Sequence, residues 1–217
     1  MPGSVEPVAN EREGLLGYLG HQRLVLRIAA YGVTDDQARS TPTPSPLSVG
    51  GLIKHASFVE RTWMNNVLQR ANPSGQDAYE ENFRLLPNET LPGVIEEYDR
   101  AGAETDAVIA DISDLGQPVP VPKGSPWYPD DLEAWSVRWV LLHLISETAR
   151  HAGHADIIRE AVDGATAFPL MAAAEGAIAA YADITGESWK PYEAPTAPAA
   201  TVARKSAAVE MAAFQAA

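Results

Sequence analysis

Four stretches of this chain repeat apolar residues at helical spacing, and none alternates as a half-buried strand would. That limits the fold to helices packed on helices. The longest stretch is the most restrictive. It covers about 131–162, with Gly164 placed to close it in a left-handed turn. On a helical wheel Val140, Leu144, Ile158 and Val162 share an arc of roughly 40°, which must face the interior. Glu147 and His151 fall on or beside that arc. His154 lies within about 20° of Glu147, and His143 within about 40°. The segment HLISETARHAGHAD thus interrupts an apolar stripe with a carboxylate and imidazoles.

The other helices are predicted over about 11–31, 49–70 and 91–113. Leu15, Leu16, Leu19, Val25, Leu26 and Ala29 mark the first, stopped by Gly32. Leu52, Ala56, Val59, Trp63 and Val67 mark the second, with Ser48 as its cap. Val94, Ile95, Tyr98, Ala101, Val108, Ile109 and Ile112 mark the third, where Pro92 sits in the tolerant first turn. Pro-rich TPTPSPLS separates the first two, and DLGQPVPVPKGSPWYPD before the last helix suits a short strand or an extended crossover. A shorter helix is expected from Pro169 to Asp183. The expectation is an all-α four-helix bundle over residues 1–193, followed by a flexible Ala/Pro-rich tail over 194–217. The connections are long enough for orders other than simple up-down-up-down.

Composition excludes several functions. A net charge of −13 is unsuited to nucleic acid, which needs clustered Lys and Arg. The chain has no cysteine, so disulfides and thiolate metal sites are ruled out and any reacting thiol comes from outside. No run of about 18 apolar residues predicts a membrane span, and MPGSVEPVANEREG does not read as a signal peptide. A cytoplasmic protein is expected.

A buried carboxylate must find a partner. An i, i+4 pair such as Glu147 and His151 can hold one face of a divalent ion, and oxygen with imidazole suits zinc or nickel, or iron or manganese. A third ligand should come from another helix. His55, at the edge of the second helix's apolar face in GGLIKHASFVERTW, is the best placed. The alternative is a polar network, with Glu147 paired to Arg138 or Arg150 and the histidines bonded to backbone. Trp63 and Trp139 read as core, and His21, Asp156 and Glu160 as solvent-facing.

The segments HLISETARHAGHADIIREAVDG and SVGGLIKHASFVERTW resemble the DinB-like superfamily, over roughly residues 11–193. The resemblance implies a four-helix bundle with one divalent metal near one end. It assigns His55, Glu147 and His151 as ligands, with Glu leading the pair as in the mycothiol-dependent maleylpyruvate isomerase of that superfamily. Gly153 fits its pattern, whereas His154 stands where the family has a Gln; His154 is expected to be catalytic, orienting a ligand or moving a proton, a role that His143 could also fill, and a place for His154 on the metal is the alternative. The implied partners are a low-molecular-weight thiol, mycothiol being the candidate, and a small electrophile; apart from the resemblance, bundles of this size often pair through an apolar helix face, so a homodimer is expected. Transfer or isomerisation assisted by the thiol follows. A metal-water hydrolase and a non-enzymatic metal- or ligand-binding stress protein use the same residues and stay open.

Overall fold

Each long helix begins at a side chain that accepts an otherwise unpaired backbone N–H. Asn10 accepts from Glu13 at the start of α1 (Glu11–Ala29), and Ser48 from Gly51 at the start of α3 (Val49–Val67). Thr90 accepts from Gly93 before α4 (Leu91–Asp111), and Ser136 from Trp139 before α5 (Val137–Asp163). Thr34 and Gln37 form a reciprocal capping box on the short α2 (Asp35–Arg39). Gly164, at φ 77°, ends α5 in the left-handed conformation that a Cβ disfavours. A last helix, α6, spans Ala167–Ala174. The computed structural model describes residues 4–72, 81–123, 128–129 and 131–174. The expected extension of α6 to Asp183 and the 194–217 tail lie outside these.

Among the described residues the bundle is all-α but for one small ladder. Helix α5 starts at Val137, not near 131, because Ala134–Ser136 is strand β2, paired antiparallel with β1 (Pro118–Pro120). Val119 lies opposite Trp135. Prolines at both ends of β1 lack N–H donors, which keeps the ladder short. Helix α1 packs along α5, and α3 along α4, with α3 also against α5. Going round the bundle the order is therefore α1, α5, α3, α4. Consecutive helices α1 and α3 sit on a diagonal, as do α4 and α5. The α2 connection and the β1–β2 hairpin make those crossings.

Two apolar clusters fill the interior. One gathers Leu26, Leu52, Ile53, Val94, Tyr98 and Ile158; the other gathers Leu19, Trp63, Ile109, Val140, Leu141 and Leu144. Between them on α3 and α5 lie Ser57, Glu60 and Thr148, all buried. Glu60 is 1% exposed and receives both ends of the Arg23 fork at 2.9 and 2.7 Å. Arg23 also reaches Asp106 at 3.0 Å, and its guanidinium lies against Gly102, which leaves it room. One bidentate pair so links α1 to α3 and its third contact reaches α4.

Arg159 is not at the surface. It is buried on α5, paired with Asp163 at 2.8 Å, and donates to the carbonyls of Ala29 and Tyr31 at 2.9 and 2.7 Å. It thus satisfies carbonyls at the end of α1 and fastens that helix to α5. Arg159→Ala would leave Asp163 buried without its cation. The expected loss is about 3–5 kcal/mol in denaturant unfolding; a loss below about 1 kcal/mol would show that the clamp contributes little.

Candidate metal centre

Helices α3 and α5 bring three side chains to one point. His55 is 2% exposed on α3; Glu147 and His151 stand one turn apart on α5. Glu147 Oε1 lies 3.1 Å from His151 Nε2 and 3.5 Å from His55 Nε2. One ligand atom from each residue falls within 4.8 Å of the other two. Ligands on a tetrahedral ion with bonds of 2.0–2.1 Å stand about 3.3–3.4 Å apart. The observed spacings bracket that value. The donors, two imidazole nitrogens and one carboxylate oxygen, are of the type that zinc and neighbouring divalent metals take. His151 Nδ1 is also buried without a hydrogen-bond partner among the described residues.

Both helices and a distant loop build the pocket. Phe83 lies flat on the His55 ring, 3.8 Å between centroids and 20° between planes. It can do so because residue 51 is glycine. A Cβ there would stand 2.0 Å from the Phe83 carbonyl oxygen. His55 and His151 meet edge to face at 4.9 Å.

The electrostatics favour the ligand forms of Glu147 and His55. Hydrogen bonds from His151, then His55, hold the Glu147 carboxyl well below the usual carboxylate range, against the opposing effect of burial. Burial pushes the His55 imidazole below its ordinary 6.5, with Glu147 opposing. A neutral imidazole and an ionised carboxylate are what a metal requires. Burial also lowers His143.

Residues 14–164 match the mycothiol-S-transferase (MST) family. The chain belongs to that family. No curated protein matches it. Among solved structures, the conserved protein of locus from Enterococcus faecalis is similar over 73% of this chain and 100% of that one, at 14% identity and a TM-score of 0.58. That likeness is one of fold. The DinB-like resemblance read from the sequence thus stands, with the mycothiol-S-transferase match covering both segments that carried it.

The three expected ligands of this mycothiol-S-transferase family member do converge. His154 stays outside the set, half-buried, with its ring 5.6 Å from His151 and its Nδ1 buried without a hydrogen-bond partner among the described residues. His143 also stays outside, between Trp139 and Trp63. His21 lines a cleft on α1 with Val5 and Val8. Arg138 is held by Glu11 at 2.6 Å, which removes it as a partner for Glu147. Trp63 is core, as its spacing predicts, whereas Trp139 and Asp156 are only half-buried. The sequence reading missed Phe83, which no periodicity marks; the Gly50-Gly51 pair was the one visible sign of a close approach.

Two outcomes are expected. Gly51→Ala must displace the backbone at Phe83, so a loss of about 1–3 kcal/mol in thermal or denaturant unfolding should follow. The second concerns pH. His55 takes a proton less readily folded than unfolded, so below about pH 6.5 the unfolded chain binds more protons and stability falls with pH. Glu147 adds a fall of the same sign at lower pH. Thermal unfolding of metal-free protein between about pH 7 and 5 should show this slope, and His55→Gln should make it shallower; an equal slope in both would refute the assignment.

Proposed function

We propose that this chain is a metal-dependent S-transferase carrying a low-molecular-weight thiol, mycothiol being the candidate, onto a small electrophile. The observation that carries the reading is the charge balance at the triad. Glu147 is held there as an ionised carboxylate whose Oε1 meets the nitrogens of two imidazoles, His55 and His151, within 4.8 Å, and since neither imidazole carries a fixed charge the set suits a divalent cation. Zinc or nickel fits the donors best, with iron or manganese next. Bound there, the ion would supply the positive charge that favours an ionised thiol at neutral pH.

The chain's own residues do the rest. His55, Glu147 and His151 would hold the ion. His154 stands beside them with a buried ring nitrogen available to take the thiol proton. The thiol sulfur then bonds to the electrophilic carbon, and the leaving group departs with its electron pair. The thiol is a cosubstrate, since the chain has no cysteine. The −13 charge disfavours nucleic acid as a partner, and no helix among the described residues is long and apolar enough to cross a membrane. We assign the protein to the cytoplasm, as a homodimer of residues 1–193 with an appended tail.

Elemental analysis of untagged protein tests the centre. About one equivalent of metal is expected in the wild type, lost in His55→Ala and His151→Ala with helicity intact. No metal after purification and reconstitution would sink the reading. His154→Gln should keep its metal yet lose at least about tenfold in kcat for thiol transfer; unchanged turnover would remove His154 from the mechanism.

A further inference from the structure

Positions 17, 20, 24 and 28 of helix α1 fall within an arc of about 80° at 100° per residue. Gly17, Gly20, Leu24 and Ile28 of that face border a hollow of about 650 Å³, whose other wall includes Val5 and Val8 of the N-terminal segment. Leu24 is 37% exposed there and Val8 46%. A Cβ added at Gly20 would meet nothing within 4 Å, so the floor of the hollow is open at that point. Ala174 stands at its edge and is the last described residue, while the chain continues to Ala217.

The direction of the chain at that edge follows from its ion pairs. Arg138 at the start of α5 holds Glu11 at the start of α1, and Arg159 near the end of α5 holds the carbonyls of Ala29 and Tyr31 at the end of α1. Helices α1 and α5 therefore run parallel. Gly164 turns the chain at their shared end, and by Ala174 helix α6 has come level with Leu24 and Ile28. Helix α6 thus descends α1 towards Gly17. Continued in phase, it would carry Ala177, Ile178, Tyr181 and Ile184 within an arc of about 120°, on the same side as buried Leu170. Glu175 and Asp183 fall on the opposite side. A helix over 175–184 would be about 15 Å long, and α1 from Gly17 to Ile28 measures about 16 Å.

We propose that the partner of this α1 face is the chain's own C-terminal segment: residues 175–184 extend α6 and dock on α1 between Gly17 and Leu24. Ile178 then comes over Gly20, and Tyr181 comes level with Gly17 and the Val5 side chain beside it. The apolar stripe of the segment meets the apolar floor of the hollow, and both its carboxylates stay in water. The segment lies beyond the mycothiol-S-transferase match, which ends at residue 164. A second hollow of about 640 Å³, bordered by Leu91, Ile95 and Glu96 of α4, also touches Ala174. To enter it the chain would have to leave the line of α6 at Gly176, whereas the first hollow lies along that line.

The chain has no cysteine, so introduced pairs report on this docking without background. In full-length protein, Gly20→Cys with Ala177→Cys should be joined within one chain by a short bis-maleimide. The rate should exceed that of Glu96→Cys with Ala177→Cys, which probes the second hollow, by at least about tenfold. Equal rates, or faster joining to position 96, would overturn the docking. Efficient linkage between chains in a mixture of the two single variants, with none inside the doubly substituted chain, would assign the hollow to a second copy and overturn it as well. Thermal unfolding of the full chain supplies an independent measurement. Leu24→Ser and Ile178→Ser should each lower Tm by roughly 2–4 °C, and the double variant should fall clearly short of their sum, because each removes the other's partner. Ile178→Ser without effect, or shifts that add in full, would overturn the docking.

Discussion

A carboxylate drawn out of water has to be answered by something, and this bundle does so in full at buried Glu60 and in part at half-buried Glu147. Glu60 is met by Arg23, a permanent cation whose fork matches both oxygens. Its charge is closed within the chain. Glu147 is met by His55 and His151, which donate or accept as their protonation allows and carry no fixed charge. The two sites share helix α3, yet one is closed by its own cation and the other presents three donors that could hold an ion. The first ties α1, α3 and α4 together and so fixes the frame on which the second depends.

That frame is rigid where the ligands sit. Arg159 fastens α1 to α5, and the glycine at 51 lets the segment at Phe83 close on His55. The His55 and His151 rings are thus held by packing, which is the condition for a well-defined geometry at any ion they would take. The diagonal crossing through β1 and β2 has a further effect. It delivers Trp135 to the head of α5 in line with Trp139 and His143.

Helical periodicity made the bundle legible, because an apolar stripe of period 3.6 suits an amphipathic helix and little else. Glu147 and His151 were legible for the same reason: they stand where Leu or Val would be expected. His55 was harder, since its wheel position is at the edge of a stripe, and the structure buries it more deeply than that suggests. The start of α5 was misread because Leu132, Trp135 and Trp139 continue a helical spacing; the pairing with Pro118–Pro120 overrides it, and a three-residue ladder leaves no alternation to find. Arg159 was unreadable as a buried group, since its partners include backbone carbonyls about 130 positions away in the chain. Contacts to backbone leave no mark on side-chain pattern.

The ligands His55 and Glu147 belong to helices about ninety positions apart in sequence. Neither α3 nor α5 alone offers a three-point site, so the site exists only once both helices have docked. An ion that binds three points but not two is then bound by the native state and scarcely by the unfolded chain. Its binding free energy becomes folding free energy, growing with the logarithm of free metal concentration. In a bundle with no cysteine and so no disulfide to brace it, an ion bound at this centre would tie the folded fraction to the supply of a trace element.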